Sequence, residues 1–409
     1  MQRNEFKQLL SLPVIVAALG YFVDIYDLLL FGIVRVPSLH AIGVPADRVL
    51  DEGIFLINIQ MTGLLIGGII WGIFGDKRGR LSVLFGSILL YSVANIANGF
   101  VTTVDQYAIL RFIAGIGLAG ELGAGITLVS EVLPKELRGY GTSLVAGVGM
   151  FGAVVAYFVA DWFDWRVAYF IGGGLGIALL VTRAGVLESG IFVRIKTETQ
   201  VKRGEFLKLF SSFSRFKRYV SCILIGLPIW YVIGILIFLS PEIGEALHFP
   251  EPIQAGRAVM FSYLGLAFGD ISSGLLSQWL KSRKKVVLIF IVLTTAMILL
   301  YISAPVKTTS FFYATCVAMG FAVGYWALFV TVAAEQFGTN LRATVTTTVP
   351  NFIRGTVPLL NVCFLSAKSQ LGISQGAVLV GIGTVFIALI ALYGIHETHG
   401  KDLNFVEKL

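Results

Sequence analysis

The chain is partitioned into long apolar stretches separated by short polar connections, and that partition leaves few possible folds. Twelve stretches qualify, at roughly 11–37, 53–75, 81–102, 105–132, 139–161, 166–187, 219–244, 256–280, 286–304, 310–334, 343–367 and 374–395. Each supplies the ~20 residues that an α-helix needs to cross ~30 Å of hydrocarbon. No water pairs with backbone amides there, so each stretch must satisfy its own hydrogen bonds as a helix. Composition excludes a soluble domain: 56% hydrophobic and 13% charged residues, at a mean hydropathy of +0.84, leave too little polar surface. The expected fold class is an all-α membrane protein with twelve transmembrane helices. The N-terminal MQRNEFKQLL runs directly into the first stretch, with no small-residue cleavage site after it, so this stretch is expected to be a retained span.

Lysine and arginine set the expected orientation. They gather in the 2–3 connection (Lys77, Arg78, Arg80), the 4–5 connection (Lys135, Arg138) and the 8–9 connection (Lys281, Arg283, Lys284, Lys285). The long 6–7 connection adds Arg194, Lys196, Lys202, Arg203, Lys208, Arg215, Lys217 and Arg218, whereas the alternate connections are poor in both. Both termini are therefore expected in the cytoplasm, in an inner or plasma membrane. The same 6–7 segment divides the chain into a six-helix half at 1–187, a basic linker at 188–218 and a second six-helix half at 219–409. A weak internal repeat agrees: SEVLPKELRG (130–139) recurs as AEQFGTNLRA (334–343), aligning Glu131 with Glu335 and Arg138 with Arg342. Such duplication is characteristic of secondary transporters that bind substrate between their halves.

Several chemistries drop out. The three cysteines, Cys222, Cys316 and Cys363, lie singly in apolar segments, and no two of the four histidines have ligand spacing. GIGLAG (115–120) and GVGMFG (147–152) fit a nucleotide-binding glycine pattern but lack the strand that such a site requires. Inside spans, small residues let helices approach. No nucleophile–base pair appears, so an enzyme is not expected, nor is nucleic-acid binding. The net charge of +7 follows from the cytoplasmic connections.

Charges inside spans cost roughly 3 kcal/mol or more and so demand partners, a wet cavity or neutralisation. The candidates are Asp24, Asp27, Arg111, Glu121, Asp270 and Arg354. Asp27 lies ~15 Å from the outer end of span 1, and Arg111 ~9 Å into span 4 from the same side. An arginine side chain covers the difference, so a pair is expected. An adjacent arginine favours an ionised aspartate and desolvation a protonated one. A conformational change at the pair would thus move a proton. Asp24, one turn deeper and ~60° around the helix, shares a broad face with Asp27 and approaches the depth of Glu121. It serves either to modulate Asp27 or to bind a cationic substrate group. Asp270 and Arg354 match in depth and either pair or face each other across a cavity. Arg354 is the better substrate candidate, because a guanidinium binds a carboxylate through two parallel hydrogen bonds. Asn351 and Asn361 flank it, and Tyr26, Trp230, Tyr231, Tyr325 and Trp326 are candidate lining residues.

GIFGDKRGRL (72–81) resembles the loop 2–3 signature of the major facilitator superfamily, with Leu81 in place of its last basic residue. RFIAGIGLAGELGAGITLVSEVLPKELRG (111–139), LESGIF (187–192) and HETHGKDL (396–403) resemble its sugar porter and metabolite:proton symporter branches, and YFVDIYDLLLFG (21–32) the latter. The resemblance implies the major facilitator fold and a proton site at the matching Asp27 and Arg111. It also implies a cytoplasmic gating network of Gly72, Asp76, Arg80, Glu131 and Arg138, with Glu335 and Arg342 as its second-half counterparts. Gln278 stands where the second half would repeat Asp76, which predicts a weaker second clamp. Spans 5 and 7 lack the glutamines usual in sugar porters, and span 5 lacks the Gly-Pro of drug antiporters.

The expected function is proton-coupled import, by alternating access, of a small polar metabolite, with organic carboxylates preferred. It needs no cofactor beyond the proton, and a monomer is expected. The alternatives are an exporter or facilitator of another solute (sugar, amine or drug) and, from a different class, a non-transporting membrane sensor.

Overall fold

The computed structural model describes residues 8–78, 80–134, 137–187, 206–400 and 407. Among the described residues, nine helical segments are long and apolar enough to cross a membrane by length and composition alone. They correspond to spans 1, 2, 5, 6, 7, 8, 9, 10 and 12. The other three depart for local reasons. Span 3, Arg80–Asn98, is short, span 4 is interrupted, and span 11 is interrupted and polar in its first part. Span 7 begins earlier than the sequence suggests, at Phe213 rather than 219.

The continuous spans are Leu12–Ala41 (1), Val49–Arg78 (2), Arg80–Asn98 (3), Arg138–Trp162 (5), Trp165–Leu187 (6), Ala255–Trp279 (8), Arg283–Ser303 (9) and Ile373–Gly394 (12). The rest are broken. Span 4 is Val104–Leu118 plus Glu121–Val132, span 10 is Thr309–Ala322 plus Trp326–Gln336, and span 11 is Thr339–Arg354 plus Val357–Leu371. Span 7 runs through Phe213–Leu224, Leu227–Tyr231, a π-helical turn at Val232–Ile237, and Ser240–Ala246.

Each break has a chemical cause. Pro358 has no N–H to donate to the carbonyl of Arg354, and Pro228 none for Leu224. In span 10, Gly324 packs its backbone directly on Gly269 of span 8, an approach that any Cβ would block. In span 4, Gly115 and Gly117 press on the backbones of spans 2 and 3, and the turn tightens as Gly120 N–H bonds the carbonyl of Gly117 at 3.3 Å. These contacts account for the GIGLAG motif as helix packing.

Packing repeats between the halves. Span 2 packs on 4, 3 on 6 and 1 on 6, as span 8 packs on 10, 9 on 12 and 7 on 12. The halves meet where span 5 packs on span 8 and span 2 on span 11. Connections 1–2, 3–4, 5–6, 7–8, 9–10 and 11–12 share one end of the bundle, termed here the odd end. The opposite, even end carries the other connections and the residues after span 12.

Candidate functional site

All four broken spans place a buried polar or aromatic residue at the break, and those of spans 7, 10 and 11 meet one another. Arg354 closes the first part of span 11 and is 1% exposed. Its guanidinium carbon lies 5.5 Å from the ring of Trp230 in span 7 and 5.5 Å from that of Trp326 in span 10. The two indoles meet edge to face at 6.3 Å. Arg354 Nε and Nη1 have no hydrogen-bond partner, and neither does Trp230 Nε1. A cation gains from an aromatic face, yet each unmet buried donor costs ~1–3 kcal/mol. The arrangement therefore suits an incoming acceptor, best a carboxylate. Asp24 and Tyr21 of span 1 and Tyr263 of span 8 lie within the field of Arg354.

The expected direct pair between Asp27 and Arg111 is not formed. Arg111 Nη2 instead donates to Asn95 Oδ1 at 2.5 Å and Nε to Asn98 Oδ1 at 3.3 Å, while its guanidinium stacks over Tyr169 at 4.8 Å. Both carboxylate oxygens of the fully buried Asp27 lack hydrogen-bond partners. The carboxylate sits against Gly172 of span 6, where a side chain would displace it. Arg111 remains close enough to act on Asp27 electrostatically, and the unpaired Asn95 amide lies beside it. The two residues are neighbours, but span 3 contributes two asparagines that take up Arg111, and Asn95 lies beside both charges.

Glu121 is already paired. Arg183 of span 6 donates to it twice, at 2.9 Å and 3.2 Å, and the Ser87 hydroxyl donates at 3.0 Å. Glu121 is 2% exposed and Arg183 4%. Glu121 thus belongs to an ion pair inside the first half. Asp24, by contrast, has no hydrogen-bond partner on either oxygen.

Six of the proposed substrate or lining residues have structural partners instead. Asp270 Oδ1 accepts the Ala327 N–H at 3.0 Å, which caps the helix that begins at Trp326. It forms no ion pair with Arg354 and faces the positive N-terminal end of that helix instead. Asn351 donates to the carbonyls of Ala119 at 2.9 Å and Thr347 at 3.0 Å, and Asn361 donates to Asn58 at 2.6 Å, so both tie span 11 to the first half. Tyr26 donates to the Ala168 carbonyl at 2.9 Å and Tyr231 to that of Ala377 at 2.5 Å. Tyr325 similarly bonds the Ile225 carbonyl at 3.0 Å, joining the breaks of spans 10 and 7.

Charge networks also occupy both ends. At the odd end, the fully buried Arg35 Nη2 contacts both oxygens of Glu242, at 2.6 Å and 2.8 Å, and the Phe238 carbonyl at 3.3 Å. This joins span 1 to span 7. Arg257 adds a bond to the Tyr157 hydroxyl at 3.1 Å, joining span 8 to span 5. At the even end, Glu335 pairs with Arg283 at 3.2 Å and accepts from Thr398 at 2.6 Å, while Arg342 bonds the carbonyls of Ala334 and Phe337. Gly72 faces Thr348 of span 11. The side chains of Asp76, Arg80, Glu131 and Arg138 lie outside the described residues. Glu397, just beyond span 12, caps span 9 by accepting from the Ser282 hydroxyl and the backbone N–H groups of Arg283 and Lys284. Burial opposes its ionisation, but the bonds from Ser282, His399, Arg283 and Lys284 outweigh it and pull the carboxyl down to about 2.

Sequence reasoning passed over Arg35, Arg183, Asn95, Asn98, Tyr21 and Tyr263. Arg35 and Arg183 lie near span ends, where an arginine normally snorkels to the interface. Their one legible signal is a charge on the inward-facing side of its helix.

The sequence model described as Major Facilitator Superfamily matches residues 12–355. Among curated relatives, the niacin transporter NiaP of Acinetobacter baylyi is 26% identical over 327 residues, spanning 71% of this chain and 73% of the relative. The benzoate transport protein of the same species is 29% identical over 202 residues, 46% of this chain and 42% of the relative. The sialic acid transporter NanX of Escherichia coli is 31% identical over 166 residues, 38% of each.

Proposed function

Because this chain belongs to the Major Facilitator Superfamily, we propose that it is a proton-coupled symporter that imports a small organic carboxylate. The observation that carries the reading is Arg354, buried between Trp230 and Trp326 with Nε and Nη1 unpaired. Niacin, benzoate and sialic acid, named for the three relatives, share a carboxylate, which supports the same chemistry.

Asp27 carries the proton in this reading. Its buried carboxylate has no hydrogen-bond donor, and Arg111 is held beside it by Asn95 and Asn98. A change in that spacing alters which protonation state the site favours. Arg354 holds the substrate carboxylate, so proton and substrate sit in opposite halves and closure around both couples them. With both termini cytoplasmic, the odd end faces outward and Arg35–Glu242 is an outer latch. The even-end network then forms part of the cytoplasmic gate. The protein works as a monomer in the plasma or inner membrane and uses no cofactor other than the proton.

Reconstituted vesicles with an imposed inward proton gradient test this. Labelled niacin or benzoate should accumulate above equilibrium. Asp27→Asn should abolish accumulation while sparing exchange, and Arg354→Ala should raise Kd by about tenfold or more. Uptake indifferent to the gradient overturns the proton role. Stabilisation by neutral or cationic solutes alone overturns the carboxylate role.

A further inference from the structure

Asp24 is the buried charge that the transport cycle above leaves unused. It is fully buried, and neither of its oxygens has a hydrogen-bond partner. Its position can be fixed from one landmark, the break in span 4. Gly20, one turn before Asp24, abuts the Glu121–Arg183 pair at the start of the second part of span 4. Asn351, one turn before Arg354, donates to the carbonyl of Ala119 in that same break. Spans 1 and 11 run in the same direction through the bundle. Asp24 and Arg354 therefore each lie one turn, ~5 Å, beyond the break on the same side.

The two residues come from opposite halves and form no ion pair, although the field of Arg354 reaches Asp24. Of the other acids nearby, Glu121 is matched by Arg183, Asp27 is the proton carrier of the transport cycle above, and Asp270 is engaged through Oδ1 at the start of the second part of span 10. The site thus presents an unmatched cation and an unmatched acceptor, with Trp230 and Trp326 beside the first and Tyr21 near the second. A ligand with only a carboxylate satisfies one pole and leaves a buried acceptor unmet, which is costly.

We infer that the site takes a two-ended substrate, whose carboxylate pairs with Arg354 and whose far end gives Asp24 a hydrogen bond from a hydroxyl, amino or protonated ring nitrogen. The inference rests on the carboxylate reading. It adds that Asp24 sets specificity by rejecting acids without the distal donor. Aromatic walls on both sides suit a flat spacer between the two poles.

Binding to the purified full-length protein tests this, with benzoate as the plain acid and 3-hydroxybenzoate, 4-hydroxybenzoate and 4-aminobenzoate as donor-bearing acids. In the wild type, at least one donor-bearing acid should bind about tenfold or more tighter than benzoate. The ratio of Kd values is then measured within Asp24→Asn and Asp24→Ala, so that any general weakening cancels. It should fall below about threefold in both. Equal affinities in the wild type overturn the inference, as does a ratio that survives both substitutions, because the acceptor then lies elsewhere. If no carboxylate binds at all, the carboxylate reading itself fails; if benzoate binds as well as the others, only the two-ended site fails.

Discussion

Glu121 and Arg183 illustrate what a single residue decides in this bundle. Each is nearly inaccessible, and the pair makes two parallel hydrogen bonds. Removing one partner strands the other charge, which costs about 3–5 kcal/mol, whereas replacing both by apolar residues is much milder. Glu121→Gln should therefore lower the thermal midpoint in detergent sharply, and Glu121→Leu with Arg183→Met should restore most of it. A single substitution without thermal effect would remove the pair from the list of stabilising contacts. Gly20→Ala should act in the same direction, because the new methyl meets the Arg183 guanidinium. The sequence marks Glu121 as an intramembrane acid but not its partner. Depth along a helix can be counted from spacing, and that count put Asp27 and Arg111 near one level. The rotation of span 3 cannot be counted in this way, and it is span 3 that engages Arg111 through Asn95 and Asn98.

At the scale of elements, the interrupted helices place the site. Pro358 frees the Arg354 carbonyl and ends the helix at the residue that needs to turn inward. Pro358→Ala should allow the missing backbone bond and straighten span 11. The expected outcome is equal or higher thermal stability with carboxylate binding weakened by about tenfold or more. A variant that binds normally would show that the break does not orient Arg354. The prolines and glycines responsible are visible in the sequence, but which of them break a span depends on neighbours. Gly324 does so only because Gly269 lies against it. Glu397 makes an element-scale case outside the membrane. Its carboxyl is pulled from about 4.5 in an unstructured chain to about 2 by the bonds that cap span 9. A lowered folded value means stabilisation that is complete above the unfolded value and lost as pH falls through the folded one. Wild type should therefore melt above Glu397→Gln at pH 7, and the gap should close between about pH 4.5 and 2. A gap independent of pH would assign the effect to packing rather than ionisation.

For the whole molecule, the decisive contacts are those that join halves otherwise packed as separate six-helix bundles. At the odd end, Arg35 reaches from span 1 to Glu242 and the Phe238 carbonyl, and deeper in the bundle Asn361 bonds Asn58 between spans 11 and 2. Gly53 leaves the space that the Arg35 side chain occupies. In the proposed alternating-access cycle, opening of the odd end parts span 1 from span 7 and breaks the Arg35–Glu242 pair, so its energy belongs to the closed conformation, and such a differential term shifts a population. Glu242→Gln keeps the shape but strands a buried guanidinium. Even ~1.4 kcal/mol of lost closure changes the ratio of closed to open states tenfold. A cysteine at position 58, in a background without Cys222, Cys316 and Cys363, reports this opening through its rate of maleimide labelling in detergent. The rate should rise by about tenfold in Glu242→Gln and in Arg35→Ala. The charge-swapped double variant, Arg35→Glu with Glu242→Arg, should bring it back toward the parent value, because the attraction is restored with its sign pattern reversed. If all variants label at the parent rate, the contact only decorates an end held shut by packing. If Arg35→Ala labels faster and Glu242→Gln does not, the stabilising element is the bond from Arg35 to the Phe238 carbonyl, which Glu242→Gln leaves in place.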